Sequence, residues 1–164
     1  MLIDRRWGGL LALLILLGMP TQAVAKYTPE QVKAVYLYRI VTFIHWDNES
    51  EMQGINICVA DDSKIEKLLA HITEGKQVRN KPLNVVNADC HVLFISQTDN
   101  LSLLDEQSDS TVTIGGMERF TTHGGAIELV ERQGKIKPRV NLDNIEGYQI
   151  SSNFLRVAIV EGDN

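Results

Sequence analysis

Residues 124–152, GGAIELVERQGKIKPRVNLDNIEGYQISS, limit the folds open to this chain more than any other stretch. Residues 126–131 read as a strand, with Ile127, Leu129 and Glu131 on one face and Glu128 and Val130 on the other. Gln133-Gly134 reads as a turn, because glycine reaches positive φ at no steric cost. Residues 135–141 return with Ile136 and Val140 as apolar positions, which makes the pair a β-hairpin. Pro138 has no N–H to give a ladder, so the return strand is expected at a sheet edge, at least there. Gly124-Gly125 permits a sharp entry or a close backbone approach. Residues 142–146 read as a short helical turn stopped by Gly147. Nothing in the stretch is a nucleophile elbow, a metal cluster or a phosphate loop.

The amino end reads as a secretory signal. Arg5-Arg6 supply the positive region, residues 8–19 the apolar run, and Ala23-Val24-Ala25 a small-x-small cleavage site, so Lys26 is the expected first residue after export. The apolar run spans about a dozen residues, short of the ~20 that a spanning helix needs. No cysteine follows it, which argues against a lipoprotein, and the expected compartment is the periplasm. Residues 26–164 carry no linker, repeat or low-complexity tract and are long enough for one domain with a core. The chain has a formal charge of −5, and loss of Asp4, Arg5 and Arg6 leaves −6. An acidic domain without a basic stripe is a poor ligand for nucleic acid or for anionic lipid.

Strands and helices alternate along this domain. Thr28, Pro29 and Gln31 form a capping box that opens a helix. Val32, Val35, Tyr36, Ile40, Phe43 and Ile44 recur at helical spacing, with Leu37 and Val41 widening the stripe and Trp46 anchoring its end. Such a stripe is core in most proteins; a partner-binding groove is the sharper alternative. Residues 55–60 form a strand buried on both faces. Ser63 and Glu66 suggest a second capping box, before a helix lined by Ile65, Leu68, Leu69 and Ile72 and ended by Gly75. Leu83, Val85 and Val86 mark a strand, residues 92–95 another and residues 111–114 a third. Between the last two, Asn100 or Ser102 would cap a helix holding Leu101, Leu103 and Leu104. Gly115-Gly116 turns into a short helix at 117–122, and Phe154, Leu155, Val157 and Ala158 suggest a closing helix. The expected fold class is a single α/β domain, its sheet mostly parallel and flanked by helices, with an antiparallel hairpin near the carboxyl end.

Candidate chemistry is sparse. Cys58 and Cys90 lie at strand-like positions, 32 residues apart. In an oxidising compartment they either pair, which would stabilise the fold by about 3–4 kcal/mol, or remain two buried thiols. The C-x-x-C spacing of a catalytic pair is absent. His45, His71, His91 and His123 show no metal-ligand spacing, and no metal or cofactor is expected. Asp61-Asp62 follow a strand end, where α/β sheets often bind ligands, although capping accounts for at least one of them. Ser96, Ser151 and Ser152 lack a triad spacing and read as helix caps.

The hairpin pattern GG-x-I-x-L-V-x-x-x-G-K-I, then V-N-L, then I-S-S-x-x-L-R-V-A resembles the carboxyl half of the YfiR/HmsC-like family of small periplasmic regulators. VKAVYLYRIVTFIHW at 32–46, INICVADD at 55–62 and CHVLFIS at 90–96 resemble its amino half, in the same order. Arg39 and Asp47 stand where the family usually has Asn and Pro, so contacts there are expected to differ. The resemblance implies a non-catalytic protein that holds a membrane-bound diguanylate cyclase inactive by binding its periplasmic part, with a homodimer left open. The alternatives are a periplasmic small-ligand-binding module feeding a sensor kinase or transporter, and a hydrolase with dispersed residues. The expected partner contact is Phe120, Thr121, His123, Gly124, Gly125 and Glu128, with Phe120 as an exposed aromatic anchor or else simply core.

Overall fold

Short apolar strands alternating with helical segments produce a single mixed α/β domain. The computed structural model describes residues 27–133 and 135–162. The expected signal segment at 1–25, Lys26 and Gly134 lie outside these residues. Helix α1 (Pro29–Val41) leads into strand β1 (Ile44–Trp46), then β2 (Ile55–Val59), helix α2 (Ser63–Thr73), β3 (Gln77–Val78), β4 (Lys81–Val85) and β5 (Val92–Ile95). Strands β6 (Val112–Gly115), β7 (Ile127–Arg132), β8 (Lys135–Asn141) and β9 (Tyr148–Ile150), helix α3 (Ser152–Leu155) and β10 (Ile159–Glu161) complete it. Eight strands form one sheet in the order β10-β8-β7-β6-β5-β2-β4-β3. The run from β4 to β7 is parallel throughout. β7 and β8 form the antiparallel hairpin, and β10 lies parallel to β8.

The central strands are apolar without alternation because each face has its own core. Val92 and Phe94 of β5 point into the larger core, with Ile57, Ile114 and the inner faces of α1 and α2. Leu93 and Ile95 point the other way, with Cys58 and Phe120, and are covered by Leu101, Leu103, Leu104 and Met117. A disulfide joins Cys58 on β2 to Cys90 just before β5, with Cα atoms 5.7 Å apart. It lies on the face of this second, thinner core.

Several local expectations change. α1 keeps its capping box, but it ends at Val41, and Thr42 turns the chain through N–H and hydroxyl bonds to the Arg39 carbonyl. Ile44–Trp46 leave the helix to pair antiparallel with Tyr148–Ile150, a partner about a hundred residues away. Arg79, in a turn with φ of 48°, holds this ribbon to the main sheet by donating to the Ile44 carbonyl at 2.6 Å and to Glu49 at 2.6 Å. α2 is capped by Asp62, whose Oδ1 accepts from the N–H groups of Lys64 and Ile65, and not by Ser63. Residues 98–106 form a 3-10 helix without a side-chain cap, so neither Asn100 nor Ser102 caps it. The helical turn expected at 117–122 is a 3-10 helix at Phe120–His123. The closing helix is only Ser152–Leu155, since residues 159–161 find a place beside β8. Pro138 behaves as expected: β10 pairs with Arg139–Asn141 and stops short of it. At the hairpin turn, Gln133 itself takes positive φ, at 55°.

Phe120 is fully buried and accounts for one glycine of each pair. A Cβ at Gly115 or at Gly125 would collide with its ring, so these two glycines admit the ring, whereas Gly116 makes room for Phe94 and Gly124 takes φ of 97°. Phe120→Ala should therefore cost about 3–5 kcal/mol, and Gly115→Ala about 1–3 kcal/mol through overpacking. Urea denaturation of each variant checks this; a midpoint unchanged in both would contradict the packing. Replacing Cys58 and Cys90 by serine should lower stability by about 3–4 kcal/mol under oxidising conditions. The same replacement should leave the reduced protein's melting temperature nearly unchanged, as differential scanning fluorimetry with and without reductant would read.

Candidate functional site

Three regions of the molecule bear on what it could bind.

The first is the segment expected to meet a partner. The structure brings Phe120, Thr121, Gly125 and Glu128 together, but it buries all four. His123 and Gly124 alone among the six expected residues are exposed. The exposed-anchor role for Phe120 is thus excluded in this conformation, and the ring is core. Asn144 Nδ2 donates to the carbonyls of Thr121 and Gly125, both at 2.9 Å, which fixes the loop from below. Glu128 accepts long bonds from the Thr121 N–H and hydroxyl, at 3.4 and 3.5 Å. The Thr121 hydroxyl also lies 3.4 Å from Glu161, which pairs with Arg139 at 3.4 Å. The cluster ties the hairpin and β10 to the loop.

The second region is the carboxyl end of the parallel strands. β2 lies between β4 and β5, so the chain leaves it in both directions, the arrangement that opens a ligand crevice in α/β sheets. Here the crevice is filled by the protein itself. The Asp61 carboxylate accepts from Ser96 N–H at 2.8 Å, Ser96 Oγ at 2.9 Å, Gln97 N–H at 2.8 Å and Asn100 Nδ2 at 2.9 Å. Burial works to raise its pKa, but the bonds from Asn100, Ser96 and Gln97 outweigh burial and hold the carboxyl below its usual range. Asp61 is a clamp on the loop after β5, and Asp62 is a helix cap.

On the face of the thinner core, a polar cavity of about 690 Å³ opens beside the disulfide and runs from Val59 and Ala60 at the end of β2 to Cys90 and His91 before β5, with Asp89, Glu106 and Gln107 also in its lining. His91 Nδ1 accepts from the Asn56 N–H at 2.9 Å, and its ring meets the Trp46 ring edge-on. Burial pushes its pKa down, with Asp89 opposing, in keeping with Nδ1 accepting the Asn56 N–H. Among the described residues no three His, Cys, Asp or Glu side chains converge as a metal site.

The third region is apolar. The outer side of α1, the first half of β8 and α3 enclose a groove of about 330 Å³. Val35, Tyr36 and Phe43 form one wall, Ile136 and Pro138 a second, and Phe154 with Val157 a third. Val35 is 45% exposed and Val157 63%. Arg39 and Lys137 are the charged residues in the lining. A second hollow continues along α1 past Val32 to Tyr27, which is 80% exposed. The core face of α1 is Ala34, Leu37, Ile40 and Val41; of the rest of the expected stripe, Tyr36 packs partly against that core, while Val32 and Val35 are surplus to it. That surplus was the signal in the sequence: α1 is apolar around more of its circumference than one buried face requires. The contribution of Phe154 and Val157 carried no such signal, because it depends on where α3 docks.

The model of the YfiR/HmsC-like family matches residues 30–159, from the first turn of α1 to the start of β10. No curated protein matches the chain. The match spans both cores, the disulfide and the groove. This chain belongs to the YfiR/HmsC-like family, which at the level of the family means a periplasmic regulator of cyclic di-GMP signalling.

Proposed function

We propose that this protein restrains a membrane-bound diguanylate cyclase by binding the cyclase's periplasmic part, and that it acts by contact alone, without chemistry of its own. The observation that carries this is the family match across residues 30–159. The signal-like segment at 1–25 supports it, and so does the disulfide, which suits an oxidising compartment. Among the described residues no helix is long and apolar enough to cross a membrane. The nucleotide substrates of such a cyclase lie on the cytoplasmic side, so an exported regulator reaches the enzyme only through the partner's outer part. Control then passes across the membrane as a conformational bias, and the regulator shifts it only by binding the inactive state more tightly than the active one. Of the segment expected to make this contact, His123 and Gly124 remain candidates at the surface.

Deletion of the gene should raise cellular cyclic di-GMP and biofilm matrix, measured by mass spectrometry of nucleotide extracts and by dye binding. Unchanged cyclic di-GMP across conditions in which the protein is made would refute the regulatory role. Export is proposed to end with cleavage after Ala25. Intact-mass analysis of protein released from the periplasm should therefore begin at Lys26, and recovery of a chain that still carries Arg5 would show an uncleaved anchor instead.

A further inference from the structure

We infer that the groove between α1, β8 and α3 is the docking site for an acidic amphipathic helix of the partner protein. This rests on the regulatory role proposed above and names its contact surface.

The groove is apolar on its walls and cationic at its rim. Val35 and Val157 expose large apolar area, and half-buried Phe43 and Ile136 lie between them. Arg39 and Lys137 are exposed, and among the described residues neither forms an ion pair. No carboxylate shares the lining. The chain as a whole is acidic, at −5, so an apolar groove edged only by cations runs against the general field of the protein. Its complement is a surface with apolar residues in the middle and carboxylates at the sides.

Geometry selects a helix over an added strand. The free edge of β8 lies at residues 135–138, beyond the reach of β10. Pro138 has no donor there, and the Ile136 carbonyl already accepts from Tyr36 Oη at 3.1 Å. A strand laid along this edge would find its ladder interrupted, whereas a helix uses side chains alone to fill a groove. A second copy of this chain is a poor occupant, because a two-fold contact through this patch would set a lining with two cations and no carboxylate against itself. Two cations also fall short of the roughly four to eight that hold a protein to anionic lipid.

Two labelled peptides of about 18 residues test this, each an amphipathic helix with leucine on one face and flanked either by glutamate or by lysine. In anisotropy titrations the glutamate peptide should bind the full exported protein about two- to thirtyfold more tightly than the lysine peptide, the range expected of two charge contacts at an exposed rim. The Arg39→Glu/Lys137→Glu variant should reverse that preference while melting like the parent, and Val35→Ser/Val157→Ser should weaken the glutamate peptide. Equal binding of the two peptides, or a preference unmoved by charge reversal, would overturn the inference. So would a dimer in sedimentation velocity that the serine variant dissolves, or displacement of the peptide by phosphatidylglycerol vesicles. In cells lacking the gene, the charge-reversed variant at parental abundance should leave cyclic di-GMP as high as the deletion does. Restoration to the parental level would place the contact elsewhere while leaving the regulatory role standing. If the deletion itself changes nothing, the regulatory role fails, and the peptide titrations still decide what the groove binds.

Discussion

The parallel pairing of β2, β5, β6 and β7 is the constraint on which the rest depends. A parallel sheet needs cover on both faces, and this chain covers the faces unequally. α1 and α2 supply a thick layer on one side, while the other is closed by the 3-10 helix of residues 98–106, the Phe120 ring and the Cys58–Cys90 bridge. The thin side explains the chain's unusual local choices. Phe120 reaches the sheet because Gly115 and Gly125 leave room for it, and the disulfide fixes the loop before β5 where little apolar burial is available. Arg119, at φ of 67°, is the point at which the backbone bends to bring the ring inward.

Both faces being covered, the places left for function are strand ends and the outer sides of helices. The strand ends are mostly committed. Asp61 spends its carboxylate on the loop after β5, and His91 spends Nδ1 on the Asn56 N–H. Groups engaged this way are expensive to redirect, since any ligand would have to replace bonds that already satisfy half-buried polar atoms. On the outer side of α1 the Tyr36 hydroxyl is bonded to the Ile136 carbonyl, but the exposed side chain of Val35 has no such commitment. Apolar area exposed there gains by meeting a partner, which is the ordinary meaning of a contiguous apolar patch on a soluble domain.

The sequence made most strands, the hairpin, the first capping box and the fold class legible, because these rest on local periodicity and turn chemistry. What it hid depended on distant partners. Ile44–Trp46 continue a helical stripe in sequence and become a strand only because Tyr148–Ile150 arrive beside them. Residues 159–161 likewise look like the tail of a helix until β8 offers them an edge. Phe120 between two glycine pairs fits an exposed tip as well as a buried ring, and the choice turns on how close β6 and β7 bring Gly115 and Gly125 to it. For the groove, the α1 wall was visible as excess apolar residues, whereas the walls from β8 and α3 required the fold.

A domain pinned by two cores and a disulfide from β2 to the loop before β5 has little ordering left to do when it binds. In the proposed role the binding energy is then available for the partner, whose two states the regulator must tell apart. A preference of about 3 kcal/mol for the inactive state would move the balance more than a hundredfold, and tight binding without preference would move it not at all. Apolar contact in the groove suits the strength of such an interaction but discriminates poorly between two arrangements of similar surface. The paired cations at Arg39 and Lys137 discriminate better, since a partner helix that rotates by part of a turn carries its carboxylates away from them while keeping some apolar contact. The energy that separates the states would therefore come chiefly from the rim, and the energy that holds the complex together chiefly from the walls.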